Sequence, residues 1–148
     1  MNNDTSDFIG IDHGVAAAAA DCREIPEPGV GRSAKALAAW FSRHPGLVTS
    51  DPKQTTVGGL PGVVLDVTLS PDWTETCPYA HDGEPLVPLI IGIGPAALHH
   101  VINASFTTRL YLLDLGSSNV VIEVVDRPGD DLALEDYKAI IQDLEFDS

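Results

Sequence analysis

The sequence predicts an α+β domain: a mostly antiparallel sheet of five to seven strands with two main helices packed on it. Three observations carry this expectation. From Arg109 to Val125, two dense apolar runs flank Gly116-Ser117-Ser118-Asn119. The second run is rich in β-branched residues, which suit a pleated, half-buried surface, so the stretch reads as the central hairpin of the sheet. Leu37, Trp40, Phe41 and His44 recur at helical spacing, and so do Leu134, Tyr137, Ile141 and Leu144, with Ile140 beside them. Periodicity does not decide whether the two helices share one face of the sheet or lie on opposite faces.

The chain of 148 residues fits one domain, with residues 1–20 as an N-terminal arm and residues 21–148 as the core. In the arm, Phe8, Ile9 and Ile11 suggest a short edge strand, although Gly10 and Gly14 weaken it. Ala16 to Ala20 favour helix by propensity, but the run is too short to stand without packing. Asp21 to Gly31 carries two prolines and two glycines and is a loop. Ser33 is placed to cap a helix running to about His44, and Pro45-Gly46 stops it. His44 is expected as a helix C-terminal residue favoured by the dipole. Leu47 to Leu69 reads as strand, turn and strand, with the bend at Gly58 to Gly62. In the second strand, Val63, Leu65, Val67 and Leu69 face the core and Val64, Asp66 and Thr68 are partly wet. Leu86 to Ile93 is an apolar run interrupted by Pro88, either a strand buried on both faces or an edge strand. A last helix is expected over 132–144, capped by Asp130 or Asp131.

Twenty-two acidic against eight basic residues leave a formal charge of −14. Nucleic acid is disfavoured as a partner, because neutralising phosphates takes Lys and Arg. Anionic membrane surfaces are disfavoured for the same reason. No stretch approaches the roughly 18 apolar residues of a membrane helix, and the N-terminus lacks the basic region of a signal peptide. Direct membrane insertion of this chain is not expected.

Cys22 and Cys77 are the two cysteines. A disulfide between them would close a loop of about 56 residues, worth about 4 kcal/mol in the chain-entropy model. The competing possibility is a pair of free thiols in a reducing cytosol. The disulfide is preferred because neither cysteine has another partner.

Chemistry is concentrated in Ser70 to Pro85, which holds Trp73, Cys77, Tyr79, His81, Asp82 and Glu84, and in His99-His100. Trp73 and Tyr79 lie in an irregular loop, where aromatics reach a partner or cover one end of the sheet. With His81, Asp82, Glu84, His99 and His100 they form the expected binding surface. These residues include metal-ligating types, yet no HExxH, CxxC or HxH spacing occurs, so neither metal nor cofactor is assigned. Ser117-Ser118 is accounted for as a hairpin turn, and no GxSxG elbow exists. The central hairpin is therefore expected to be silent in function.

The order of the segments SAKALAAWFSRHPGL, VGGLPGVVLDVTLSPDWTETC and RLYLLDLGSSNVVIEVVD, with a closing helix ending in LEF, resembles uncharacterised bacterial extracytoplasmic domains. Such domains form C-terminal portions of membrane- or lipid-anchored proteins. More distantly, the layout is similar to the PsbP-like sandwich. The resemblance spans about residues 20 to 146. It implies an oxidising compartment and a paired Cys22 and Cys77, and it implies no known reaction. The expected function is a non-catalytic extracytoplasmic binding or sensor module, whose partner is a protein or a cell-envelope ligand. The alternatives are a small hydrolase or metal-dependent enzyme using His81, His99 and His100, and a cytoplasmic protein-interaction domain.

Overall fold

A computed structural model of the chain describes residues 8–23, 25–78, 80, 83–92, 99–104, 107–126 and 141. Nine strands, all paired antiparallel, form two sheets. The first sheet contains β1 (Phe8–His13), β3 (Leu47–Thr49), β4 (Lys53–Val57), β5 (Leu60–Leu69), β8 (Thr107–Leu115) and β9 (Ser118–Asp126). Its order is β1-β9-β8-β5, with β3 and β4 sharing the far edge of β5. The second sheet is β2 (Val15–Ala17), β6 (Val87–Gly92) and β7 (His99–Ile102), in that order with β6 central. One helix, α1 (Ala34–Arg43), occurs among the described residues.

These elements correct the expected fold class. Among the described residues the structure is mostly β, with 53% strand and 11% helix, and the α+β arrangement of two main helices on one sheet is not supported. Short strands account for the difference. Val15–Ala17 pairs with Gly92–Ile90, because the alanines are buried between layers where small side chains fit, and that packing overrides their helix propensity. The helix expected over 132–144 lies outside the described residues except for Ile141, which is fully buried.

The central hairpin is as expected in place but tighter in its turn. Leu115 pairs with Ser118, so only Gly116 and Ser117 turn. Gly116 has φ 58°, the left-handed conformation that glycine adopts at the first turn position of a type II′ hairpin. Similarly Gly58 and Gly59, with φ of 57° and 83°, complete the β4–β5 turn, and Leu60 to Gly62 belong to β5 rather than to the bend. The close approach of β5 to β8 requires Gly62, whose Cβ would run into the Leu112 carbonyl.

Both faces of the first sheet are covered. Leu65, Val67, Leu110, Leu112 and Val121 point to one side, where they pack with Leu37 and Phe41 of α1 and with Val87, Leu89, Ile90 and Ile102 of the second sheet. Tyr111, Leu113, Val120, Ile122 and Val124 point to the other side, with Val57 and Ile141. Ile141 therefore lies on the face of the first sheet opposite α1. This two-sided burial is why β8 and β9 read as nearly continuous apolar runs. Pro88 is tolerated in the central strand β6 because the β6–β7 register shifts between Pro88 and Ile90.

The chain passes from one sheet to the other at Gly14 (φ 63°), and Asn119 holds the crossing. Its Oδ1 accepts from the Val15 N–H at 2.9 Å, and its Nδ2 donates to the carbonyls of Val15 at 2.9 Å and Arg32 at 2.8 Å. The Asn119 backbone carbonyl accepts from the Gly14 N–H at 2.9 Å. Directly opposite Asn119 on the hairpin, Asp114 accepts from the Ala34 N–H at 2.8 Å. Ser33 Oγ accepts from the Ala36 N–H at 3.1 Å, the expected N-cap, so Asp114 supplies the negative charge that the first turn of α1 lacks. Asn119→Ala would take the side-chain partner from the buried Val15 N–H and carbonyl and from the part-buried Arg32 carbonyl. We expect a loss of roughly 2–4 kcal/mol of unfolding free energy in urea, and a loss below about 1 kcal/mol would contradict this role.

Candidate functional site

The loop after β5 and the loop after β2 are joined by the Cys22–Cys77 disulfide, with Cα atoms 5.6 Å apart. Cys22 has φ 72° and is the one non-glycine residue in the left-handed region among those described. That conformation costs on the order of 1 kcal/mol and persists where the surroundings hold it. Glu27 accepts from the Ala20 N–H at 2.8 Å, and Ala18 pairs with Pro26, so the loop is folded back on itself. Asp21 binds Arg23 at 2.6 Å; the Arg23 backbone N–H, ahead of the guanidinium, holds the Asp21 carboxyl below its ordinary value.

Beside the disulfide lies a cleft of about 420 Å³, whose lining includes Asp21, Cys22, His44, Trp73, Glu75 and Pro88. Trp73 is fixed by its indole N–H, which donates to the Leu86 carbonyl at 3.0 Å, and by an edge contact with His44 at 5.6 Å between ring centroids. Gly46 makes room for it, since a Cβ there would come within 2.7 Å of the indole ring. The histidine that closes α1 behaves differently from expectation. His44 is buried, its Nδ1 accepts from the Gly46 N–H at 3.0 Å, and desolvation pushes its pKa down, with Glu27 opposing. The accepting Nδ1 leaves the ring proton on Nε2.

Of the expected binding surface, the side chains of Trp73, Glu84 and His100 are described. Trp73 packs against the first core cluster. Glu84 accepts from Asn103 Nδ2 at 3.4 Å, and its backbone carbonyl accepts from the Thr76 hydroxyl at 2.6 Å. Tyr79, His81 and Asp82 lie outside the described residues. His99 pairs with Ile91 in β7, and its side chain is likewise not described. His100, by contrast, is half-buried and turns towards the first sheet.

On the inner face of the first sheet, Glu123 of β9 stands among apolar neighbours with its side chain 2% exposed. Gly10, directly opposite on β1, places no side chain beside it. His100 reaches it from β7 of the other sheet, with Nδ1 2.7 Å from Glu123 Oε2. Asp12, two residues along β1 on the same face, brings Oδ2 to 3.7 Å from His100 Nε2. Each of the three offers one ligand atom, and these lie within 4.8 Å of one another. The Glu123 contact raises the His100 pKa most; burial opposes it, and the charges of Glu123 and Asp12 add to it. The sequence carried a signal for this group. Glu123 is the lone acid in VVIEVV and shares the inward parity of Val121 and Val125. The expectation of a silent hairpin missed it. Asp12 had no such signal, because its partner strand lies more than a hundred residues away.

No family model, no curated protein and no solved structure matches the chain.

Two outcomes follow from these sites. Replacing both cysteines by serine should lower the unfolding free energy in urea by roughly 2–4 kcal/mol relative to the oxidised protein. A change within error would show that the cross-link constrains nothing. The raised His100 pKa means that its contribution to stability is complete below the unfolded value near 6.5 and is lost as pH rises through the folded value. In chelator-treated protein, the stability difference between the native chain and His100→Gln should therefore shrink as pH rises above 6.5. The opposite contribution of His44 cancels in that difference. A difference that grows with pH would reverse the assignment.

Proposed function

We propose that the chain is a non-catalytic binding or sensor module exposed to an oxidising compartment of the cell envelope, with its ligand in the cleft between Trp73 and the disulfide. The cleft is the observation that carries this. Its volume of about 420 Å³ falls in the range of small-molecule sites, roughly 300–1,000 Å³. The cleft offers an aromatic surface, a neutral imidazole and carboxyl groups at its edge, which together suit a small ligand with an apolar body and a cationic or hydroxyl-rich end. The disulfide supports the compartment, because such bonds persist where the surroundings are oxidising. It counts against a cytoplasmic interaction domain, which calls for free thiols. The reading is in line with the sequence resemblance to bacterial extracytoplasmic domains. No helix among the described residues is long and apolar enough to cross a membrane.

The hydrolase or metal-dependent enzyme built on His81, His99 and His100 would need two of these histidines beside a carboxyl group. Among the described side chains, His100 alone of the three lies beside carboxyl groups, which is one histidine where two are called for.

Tryptophan fluorescence tests the cleft directly. In a Trp40→Phe background Trp73 is the sole tryptophan. Cell-envelope glycans, peptides and small cationic amphiphiles should include a ligand that shifts its emission. Trp73→Ala should weaken that ligand by at least about tenfold, as expected for a central aromatic contact. A library that produces no shift at Trp73, or a ligand indifferent to its loss, would end the proposal.

A further inference from the structure

Apart from the cleft, we infer that Asp12, His100 and Glu123 form a binding site for a divalent transition cation of the zinc type. The three side chains come from three strands and both sheets, and they converge with one ligand atom each within 4.8 Å. Glu123 Oε2 and Asp12 Oδ2 are buried and have no hydrogen-bond partner among the described residues. Yet those are the two atoms that face the imidazole, at 2.7 and 3.7 Å. Close approach without an aligned N–H is a poor hydrogen bond. It is the normal relation between two ligands of one metal ion. Glu123 faces Nδ1 and Asp12 faces Nε2, so an ion would take one ring nitrogen together with the two carboxylates, at metal–N and metal–O bonds of about 2.0–2.2 Å.

The donor set selects the ion. Imidazole suits zinc, iron, nickel and copper, whereas calcium and magnesium favour oxygen ligands throughout. Two carboxylates neutralise a divalent charge, which adds to what His100 alone offers the buried Glu123 carboxylate. Solvent has a route to the site, because the His100 side chain is 26% exposed while those of Asp12 and Glu123 are 11% and 2% exposed. The net charge of −14 raises the local concentration of cations. A bound ion would clip β7 of one sheet to β1 and β9 of the other, so binding and stability are linked.

The full chain, oxidised and stripped with EDTA, is titrated with Zn²⁺ by calorimetry and with Co²⁺ by visible absorption. Since the disulfide leaves no free cysteine, Co²⁺ spectra report nitrogen and oxygen ligation without thiolate bands. A single equivalent of Zn²⁺ should bind, Co²⁺ should be displaced by it, and the melting temperature should rise. Ca²⁺ and Mg²⁺ in excess should not compete. His100→Ala and Asp12→Asn should each weaken Zn²⁺ by at least about tenfold, the lower end of what even outer-sphere partners contribute. Asp12→Asn lies on an edge strand and keeps the side-chain shape, so it serves if His100→Ala does not fold. The inference is overturned if the native chain binds no Zn²⁺ and does not gain stability with it, which would leave the three residues as a structural ion triad. Binding that survives both substitutions, or that Ca²⁺ matches, overturns it equally, because the ion then sits elsewhere on the acidic surface. None of these outcomes bears on the cleft beside Trp73.

Discussion

The architecture depends on a polar contact, the Asn119 amide inside the seam between the two sheets. At Gly14 the chain leaves one sheet for the other, and a strand that changes sheets breaks its ladder of hydrogen bonds. The Asn119 side chain repairs the break by offering Val15 an acceptor and a donor, as a neighbouring strand would. Its second N–H ties down Arg32 just before α1, and Asp114 beside it on the same sheet face caps that helix. One end of a single hairpin thus sets where β2 begins and where α1 starts. The apolar interior between them could not choose these positions, because burial is not directional.

The opposite end of the interior is organised by the disulfide and by Trp73. Gly46 leaves the space, the Leu86 carbonyl fixes the indole, and His44 closes against its edge. Burial makes that histidine neutral, so the lining combines an aromatic surface with an uncharged ring beside an acidic rim. These groups are contributed by the segment after β2, by the end of α1 and by the loop between β5 and β6. The cross-link holds the first and last of them together.

Glu123 is the most costly residue in the interior. A buried acid loses its hydration and must recover it from partners. Here the partner is a histidine carried by the other sheet, with a second acid opposite. The lone acid within VVIEVV was legible as an anomaly of the inward face. His100 was legible as a residue of interest. What joined them was not, since β7 was too short and too mixed to announce itself as a strand. His100 turns towards Glu123 and Asp12, residues distant from it in sequence.

Local patterns did determine much by themselves. The 3.6-residue stripe and Ser33 specified α1, the period-2 alternation of Val63 to Leu69 specified β5, and glycine chemistry specified the turns, because each depends on neighbours a few residues apart. The pairing of Cys22 with Cys77 followed from there being only two cysteines. Tertiary structure decided the division into two sheets, the strand state of Val15–Ala17, the neutrality of His44 and the meeting of Asp12, His100 and Glu123. Each of these turns on which surfaces become buried against one another. That is a property of contacts between distant segments, and no local window of the sequence contains it.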